Sequence, residues 1–191
     1  GSDAGGSIRV PASFTGLFGL KPSFGRVPTY PASAFVVLSH VGPLTRTVDD
    51  AALMLSVITQ ADRRDLMAHN SPVPDYLGEL NQGLSGLRIA WSTDLGYVSS
   101  LDPEVRTLCE TAARQFEQLG ASVEEATPGF RNPREVILTL WRAGAAATLR
   151  TIPRDQHALL DSEFLACAQA GMGLSAVDFL LLKAMQMLTA G

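Results

Sequence analysis

The chain has 191 residues, a length that suits one ordinary domain with a real core and does not demand two. Apolar residues make up 46% and charged residues 18%, which excludes a disordered chain and points to a globular one. The net charge is −4 and the cations are scattered (thirteen arginines plus Lys21 and Lys183), so there is no basic patch and nucleic acid is not expected as a direct partner.

The first element is a turn. Gly5 and Gly6 stand directly before the hydroxyl of Ser7, and an apolar stretch read as a short helix over Ile8–Phe14 follows. Glycine admits positive φ and lets successive N–H groups approach a ligand. The amides of Ala4, Gly5, Gly6 and Ser7 can therefore converge on an anion, or on the oxyanion formed when a serine attacks a carbonyl. Asp3 and Arg9 flank the turn and are read as its support, through hydrogen bonds or an ion pair. A serine also needs a base, and none is local: His40, His69 and His157 have no triad context. A glycine turn before a helix needs no chemistry to explain it, so the plain structural turn stands beside the nucleophile reading. A phosphate loop is excluded. Gly1 and Gly6 have its outer spacing, but Ser7 stands where lysine belongs and Ile8 where Ser or Thr belongs.

An extended piece is expected over Leu17–Leu20, then an irregular stretch from Tyr30 to Leu44 carrying Pro31, His40 and the Gly42-Pro43 breaker. Thr47 with Asp50 is a capping-box variant that opens a helix over Val48–Ile58, with apolar positions 48, 51, 52 and 55. Residues 61–85 read as a polar surface excursion with one short helix near Asp75–Leu80. The best-defined unit follows. Leu87–Trp91 alternates like a strand, and Asp102-Pro103 starts a helix with apolar positions 105, 108, 109, 112, 116 and 119. Gly120 stops that helix, and Ala121–Ala126 is the next strand. This βαβ unit (86–126) implies a parallel pair. Asn132, Pro133 and Glu135 start another helix, and residues 156–190 read as two or three helices broken at Gly171 and Gly173, giving a helical segment over 132–190. The fold class is α/β with a helical C-terminal third.

Cys109 and Cys167 show no metal-ligand spacing, and Cys109 falls on the apolar stripe of its helix, so a buried thiol is expected there. No apolar run approaches the roughly 18–20 residues of a membrane span, and the first residues do not read as a signal peptide, so the default location is cytoplasmic.

Taken together, Gly1-Ser2-Asp3-Ala4-Gly5-Gly6-Ser7-Ile8-Arg9-Val10-Pro11-Ala12, then Gly16-Leu17-Phe18-Gly19-Leu20-Lys21-Pro22, then Gly42-Pro43-Leu44-Thr45-Arg46-Thr47-Val48-Asp49-Asp50-Ala51-Ala52, resemble the signature of the amidase signature family of serine hydrolases. The resemblance is strong from Gly1 to about Asp65, looser through the βαβ unit and weak beyond Pro128. It implies an α/β/α sandwich around a large mixed sheet and hydrolysis of a carboxylic amide without metal or cofactor. It assigns the nucleophile to Ser7 and the oxyanion hole to the backbone of Ala4, Gly5, Gly6 and Ser7. It further implies a serine on a cis peptide and a lysine base, both upstream of the motif. The neutral lysine withdraws a proton through the bridging serine, Ser7 attacks, the amine leaves, and water cleaves the acyl-enzyme.

On this resemblance the chain is expected to be one partial amidase domain (residues 1–191), cut at both ends and inert by itself. Lys21 lies downstream of the motif in a stretch where the family lysine reads as structural, and Lys183 has no matching context. Two alternatives stay open: the amidase subunit of a tRNA-dependent amidotransferase, and a non-catalytic binding protein of the same fold. The expected partner is a small-molecule amide, with no membrane. Exposed sheet edges and apolar patches favour self-association into a homo-oligomer. Tyr30, Phe35 and Trp141 are aromatic candidates for an acyl pocket that the sequence does not place.

Overall fold

The computed structural model describes residues 1–69, 71–129 and 131–181, so Lys183 and the end of the helical segment expected to Ala190 lie outside the described residues. Within them the chain is α/β. Six short strands pair two by two into three separate sheets, two antiparallel and one parallel. The chain divides into two compact units, Gly1–Asn81 with Thr139–Phe179, and Gln82–Leu138 with the chain from Leu180.

In the first unit, β1 (Ser2–Asp3) lies antiparallel to β3 (His40–Val41), with Asp3 opposite His40. The turn after β1 leads into α1 (Arg9–Thr15), one residue later than the sequence suggests. β2 (Phe18–Gly19) pairs with β4 (Leu44–Thr45). The stretch from Tyr30 to Leu44 is therefore not wholly irregular: it holds a 3-10 turn over Val36–Leu38 and the strand β3. Strands of two residues carry no alternation, and their partners lie far along the chain, so local pattern does not show them.

Helix α2 (Val48–Ile58) falls where the capping signal places it, with the Asp50 amide donating to Thr47 Oγ1 at 3.1 Å. It buries Ala51, Ala52 and Leu55. α3 is the single turn Tyr76–Glu79, capped by Asp75 Oδ1. Helix α5 (Arg134–Thr151), which belongs to this unit from Thr139 onward, packs on α6 (Ser162–Met172). Ala145, Leu149 and Ala168 form the buried contact, flanked by Leu160, Phe164, Leu165 and Cys167.

The break expected at Gly171 is corrected: Gly171 is buried inside α6, and the helix stops at Gly173. A Cβ at Gly171 would overlap the Arg142 carbonyl oxygen, so its lack of a side chain serves the close approach of two helices.

The second unit contains the βαβ crossover. β5 (Arg88–Trp91) and β6 (Ser122–Glu125) are parallel, with Arg88 opposite Ser122 and Trp91 opposite Glu125. Between them runs α4 (Pro103–Gln118), capped by Asp102 Oδ1, which accepts from the Glu104 amide at 2.8 Å. Asn132 Oδ1 likewise accepts from the Arg134 amide where α5 begins.

The burial expected along α4 is not found. Of its residues only Ala113 is buried, while Val105, Leu108, Phe116 and the following Leu119 are exposed. Cys109 is exposed too, which corrects the expected buried thiol. The stripe is helical in period, yet two four-residue strands cover too little of it. Period sets which face is apolar, not whether something covers that face.

Candidate active site

The turn at residues 3–9 is organised by one carboxylate. Asp3 ends β1 and is only 1% exposed. Its Oδ1 accepts from the Gly6 amide at 2.6 Å and from Arg9 Nη2 at 3.1 Å. Its Oδ2 accepts from the Ile8 amide at 3.2 Å, from the Arg9 amide at 3.5 Å and from Arg9 Nε at 3.0 Å. Helix α1 has no cap of its own, since its N-cap residue is Ile8; Asp3 accepts from its first amides instead.

The Arg9 guanidinium beside Asp3 holds that carboxyl well below the usual carboxylate range, helped by the Gly6 and Ile8 amides and opposed by burial. The carboxylate is therefore charged throughout the physiological range, and the turn is fixed. Gly6 bends the chain at φ +129, a conformation other residues rarely adopt.

One donor in the expected oxyanion set needs correction. The Gly6 N–H is already taken by Asp3, so it is not open to a ligand. The amides of Ala4, Gly5 and Ser7 differ: among the described residues they make no hydrogen bond. Ser7 itself is exposed, and its hydroxyl has no hydrogen-bond partner among the described residues. An open hydroxyl and three unpaired amides lie within four consecutive residues. Such a group can hold a carbonyl oxygen while the hydroxyl faces its carbon.

Among the described residues the other titratable candidates make no hydrogen bond to Ser7. Lys21 donates to the Pro22 carbonyl at 3.1 Å; burial pulls its ammonium below the ordinary lysine value, and the charge of Arg9 adds to this. His40 sits on β3, its Nδ1 paired with the Leu38 carbonyl at 2.8 Å and its ring edge-on to Phe24. His157 Nε2 pairs with the Ile152 carbonyl, and the His69 amide donates to Gly25. No group of three or more His, Cys, Asp or Glu able to hold a metal occurs among the described residues. A cavity of about 90 Å³ opens beside β3, lined by Phe24, Val27, Val36, His40 and Asp65 among others, and no residue of the turn lines it.

The aromatic candidates separate. Tyr30 is 61% exposed and lies under the Arg64 guanidinium, 4.8 Å from its ring centroid. Phe35 and Trp141 meet, with ring centroids 4.8 Å apart. Trp141 reaches the turn: a Cβ on Gly5 would lie 3.5 Å from its Cζ3. Sequence reading missed this neighbour, because nothing local marks a residue on α5 as lying beside the first glycine of a turn near the start of the chain.

A family model for amidases matches residues 1–179. The chain belongs to the amidase signature family. It is 36% identical over 181 residues to an acylamidase of Rhodococcus erythropolis, covering 93% of this chain and 38% of that protein. It is 40% identical over 151 residues to one of the subunits of glutamyl-tRNA(Gln) amidotransferase from Synechococcus sp., covering 78% of this chain and 31% of that one. Among solved structures, a bacterial aryl acylamidase of the amidase signature family superposes with a TM-score of 0.83 at 31% identity, over 98% of this chain and 41% of that chain. The chain thus spans about two-fifths of the length of that acylamidase and that aryl acylamidase. No helix among the described residues is long and apolar enough to cross a membrane.

Proposed function

We propose that Ser7 is the nucleophile of an amide hydrolase, and that the amides of Ala4, Gly5 and Ser7 stabilise the oxyanion. Membership of the amidase family supports amide hydrolysis as the class of reaction. The observation that carries the residue assignment is the exposed, unpaired Ser7 hydroxyl beside three unpaired amides on a turn pinned by Asp3.

In the reaction, Ser7 Oγ forms a bond to the carbonyl carbon as its proton passes to a base, and negative charge gathers on the carbonyl oxygen. The C–N bond then breaks, the amine leaves with a proton, and the acyl group stays on Ser7. Water attacks the acyl-enzyme, the carboxylic acid departs and the Ser7 hydroxyl is restored. Charge develops only after attack, so fixed amide donors favour the transition state over the bound substrate. Gly6 acts indirectly, because its amide locks the turn onto Asp3 rather than meeting the oxyanion.

No base contacts Ser7 among the described residues, so the 191-residue chain by itself is expected to be inactive. The family resemblance implies that the base is a neutral lysine acting through a bridging serine. A second reading, the amidase subunit of a tRNA-dependent amidotransferase, is favoured by the identity to proteins of that complex. The longer coverage by the acylamidase favours the hydrolase.

The test is hydrolysis of a simple amide by the full-length protein and its Ser7→Ala variant. The reading expects turnover to vanish in the variant while the fold, seen by circular dichroism, is kept. Wild-type turnover in Ser7→Ala would overturn it.

A further inference from the structure

The contact between Trp141 and the turn has a chemical consequence. Gly5 carries no side chain and is exposed, and the six-membered edge of the indole lies where a Cβ would be 3.5 Å from Cζ3 and 3.9 Å from Cη2. The ring edge therefore lies where the side chain of any larger residue at position 5 would touch it, beside the backbone that carries an unpaired donor. Trp141 is only half-buried.

Phe35 fixes the indole. The two rings are tilted by 46°. Gly144, one turn of α5 beyond Trp141, makes room for Phe35: a Cβ there would lie 2.6 Å from Phe35 Cδ1. The neighbouring Val36 takes φ +42, a left-handed conformation that a β-branched residue adopts only when its surroundings impose it. The segment that delivers Phe35 to α5 is thus held in a strained backbone, so the aromatic pair is braced.

We propose that Trp141, held by Phe35, is a specificity-determining residue that receives a flat, apolar substituent of the scissile carboxamide. This rests on Ser7 and its neighbouring amides being the reaction site. A carbonyl oxygen within hydrogen-bond distance of the Gly5 amide places the group on its carbonyl carbon, or on its nitrogen, within one ring's reach of the indole edge. Aromatic rings meet favourably edge-to-face or offset, so a phenyl group gains there what a methyl group does not. The preferred substrates are aryl amides, with the ring on either the acyl or the amine side.

The experiment compares kcat/KM of the full-length protein on benzamide (ring on the acyl side), acetanilide (ring on the amine side) and acetamide. Trp141→Ala is expected to lower kcat/KM for at least one aryl amide about tenfold or more relative to acetamide, mainly through KM. Trp141→Phe should restore most of that ratio, and whichever ring responds tells the side. Equal losses on all three amides, or an unchanged ratio, overturn the proposal and leave Trp141 a packing residue. A wild type that neither binds nor turns over either aryl amide overturns it as well. Calorimetric binding of the same two amides to Ser7→Ala, with and without Trp141→Ala, needs no turnover. Affinity weakened severalfold by the second substitution supports the subsite, and unchanged affinity overturns it. Retained turnover in Ser7→Ala sinks the nucleophile alone.

Discussion

The Gly6 amide donates to Asp3 Oδ1 at 2.6 Å, across a turn of only three residues, while the Arg9 guanidinium donates to both oxygens of the same carboxylate. This arrangement decides which amides of the glycine turn stay open. Gly6 is consumed, and Ala4, Gly5 and Ser7 are not. Asp3 thereby links the end of β1 to the start of α1, and the Ser7 hydroxyl sits on the loop between them.

Removing the carboxylate should therefore cost more than a surface ion pair. Asp3→Ala leaves the Gly6 and Ile8 amides without an acceptor and Arg9 without its partner. Each buried donor left unmet costs about 1–3 kcal/mol, while Arg9 is half exposed and adds little, so a total of about 2–6 kcal/mol is expected. Urea unfolding of the 191-residue chain measures it, and a loss below about 1 kcal/mol contradicts this role.

The same carboxylate sets an acid dependence. Its value is lowered on folding, so the folded form binds fewer protons than the unfolded one. The stability it contributes is full above the ordinary carboxylate value of about 4 and is lost as pH falls from there through the lower folded value. Wild type and Asp3→Asn should thus differ most at neutral pH and converge as the solution is acidified below about pH 4. Unfolding midpoints across that range check the sign. A difference that stays constant, or widens in acid, contradicts it.

Gly171 tests the packing of α5 on α6. Its substitution by Ala drives a methyl group into the Arg142 carbonyl, and a helix pair cannot yield there without separating. A loss of about 1–3 kcal/mol is expected, as for overpacked cores, although Ala is the better helix former. Thermal unfolding reads the change, and a stabilised variant contradicts the close approach.

Cys109 and Cys167 should differ in reach. Cys109 lies open on α4, and Cys167 is half-buried against the α5–α6 contact. A thiol reagent added to the native 191-residue chain should modify Cys109 first, with Cys167 following more slowly. Mass analysis of the labelled peptides decides the order, and the reverse order contradicts the exposure found along α4.

Much of the fold was legible wherever signals are local. The caps at Thr47 and Asp102 set helix starts within a residue, a short helix was expected near Asp75, and the alternation of Arg88–Trp91 with the tight crossover to Ser122–Glu125 gave a parallel pair. What the sequence did not reveal is long-range. The pairing of Asp3 with His40 and the fit of Trp141 onto Gly5 join residues with no local pattern in common. Gly171 reads as a breaker by composition, yet it serves a helix crossing that only the fold creates. The glycine turn before α1 was recognisable from its residues alone. That Asp3 takes the Gly6 hydrogen was not, because Asp3 has other possible partners until the turn is built.

The most direct measurement is the mass of a trapped intermediate. Full-length protein is mixed with an activated acetyl ester, quenched in acid within the turnover time and digested, and the peptide ending at Arg9 is weighed. Attack by Ser7 predicts that this peptide gains the mass of one acetyl group, that the gain maps to Ser7, and that it is absent in Ser7→Ala. An acetyl group found on another residue, or the same gain in the alanine variant, contradicts the assignment of Ser7 as nucleophile.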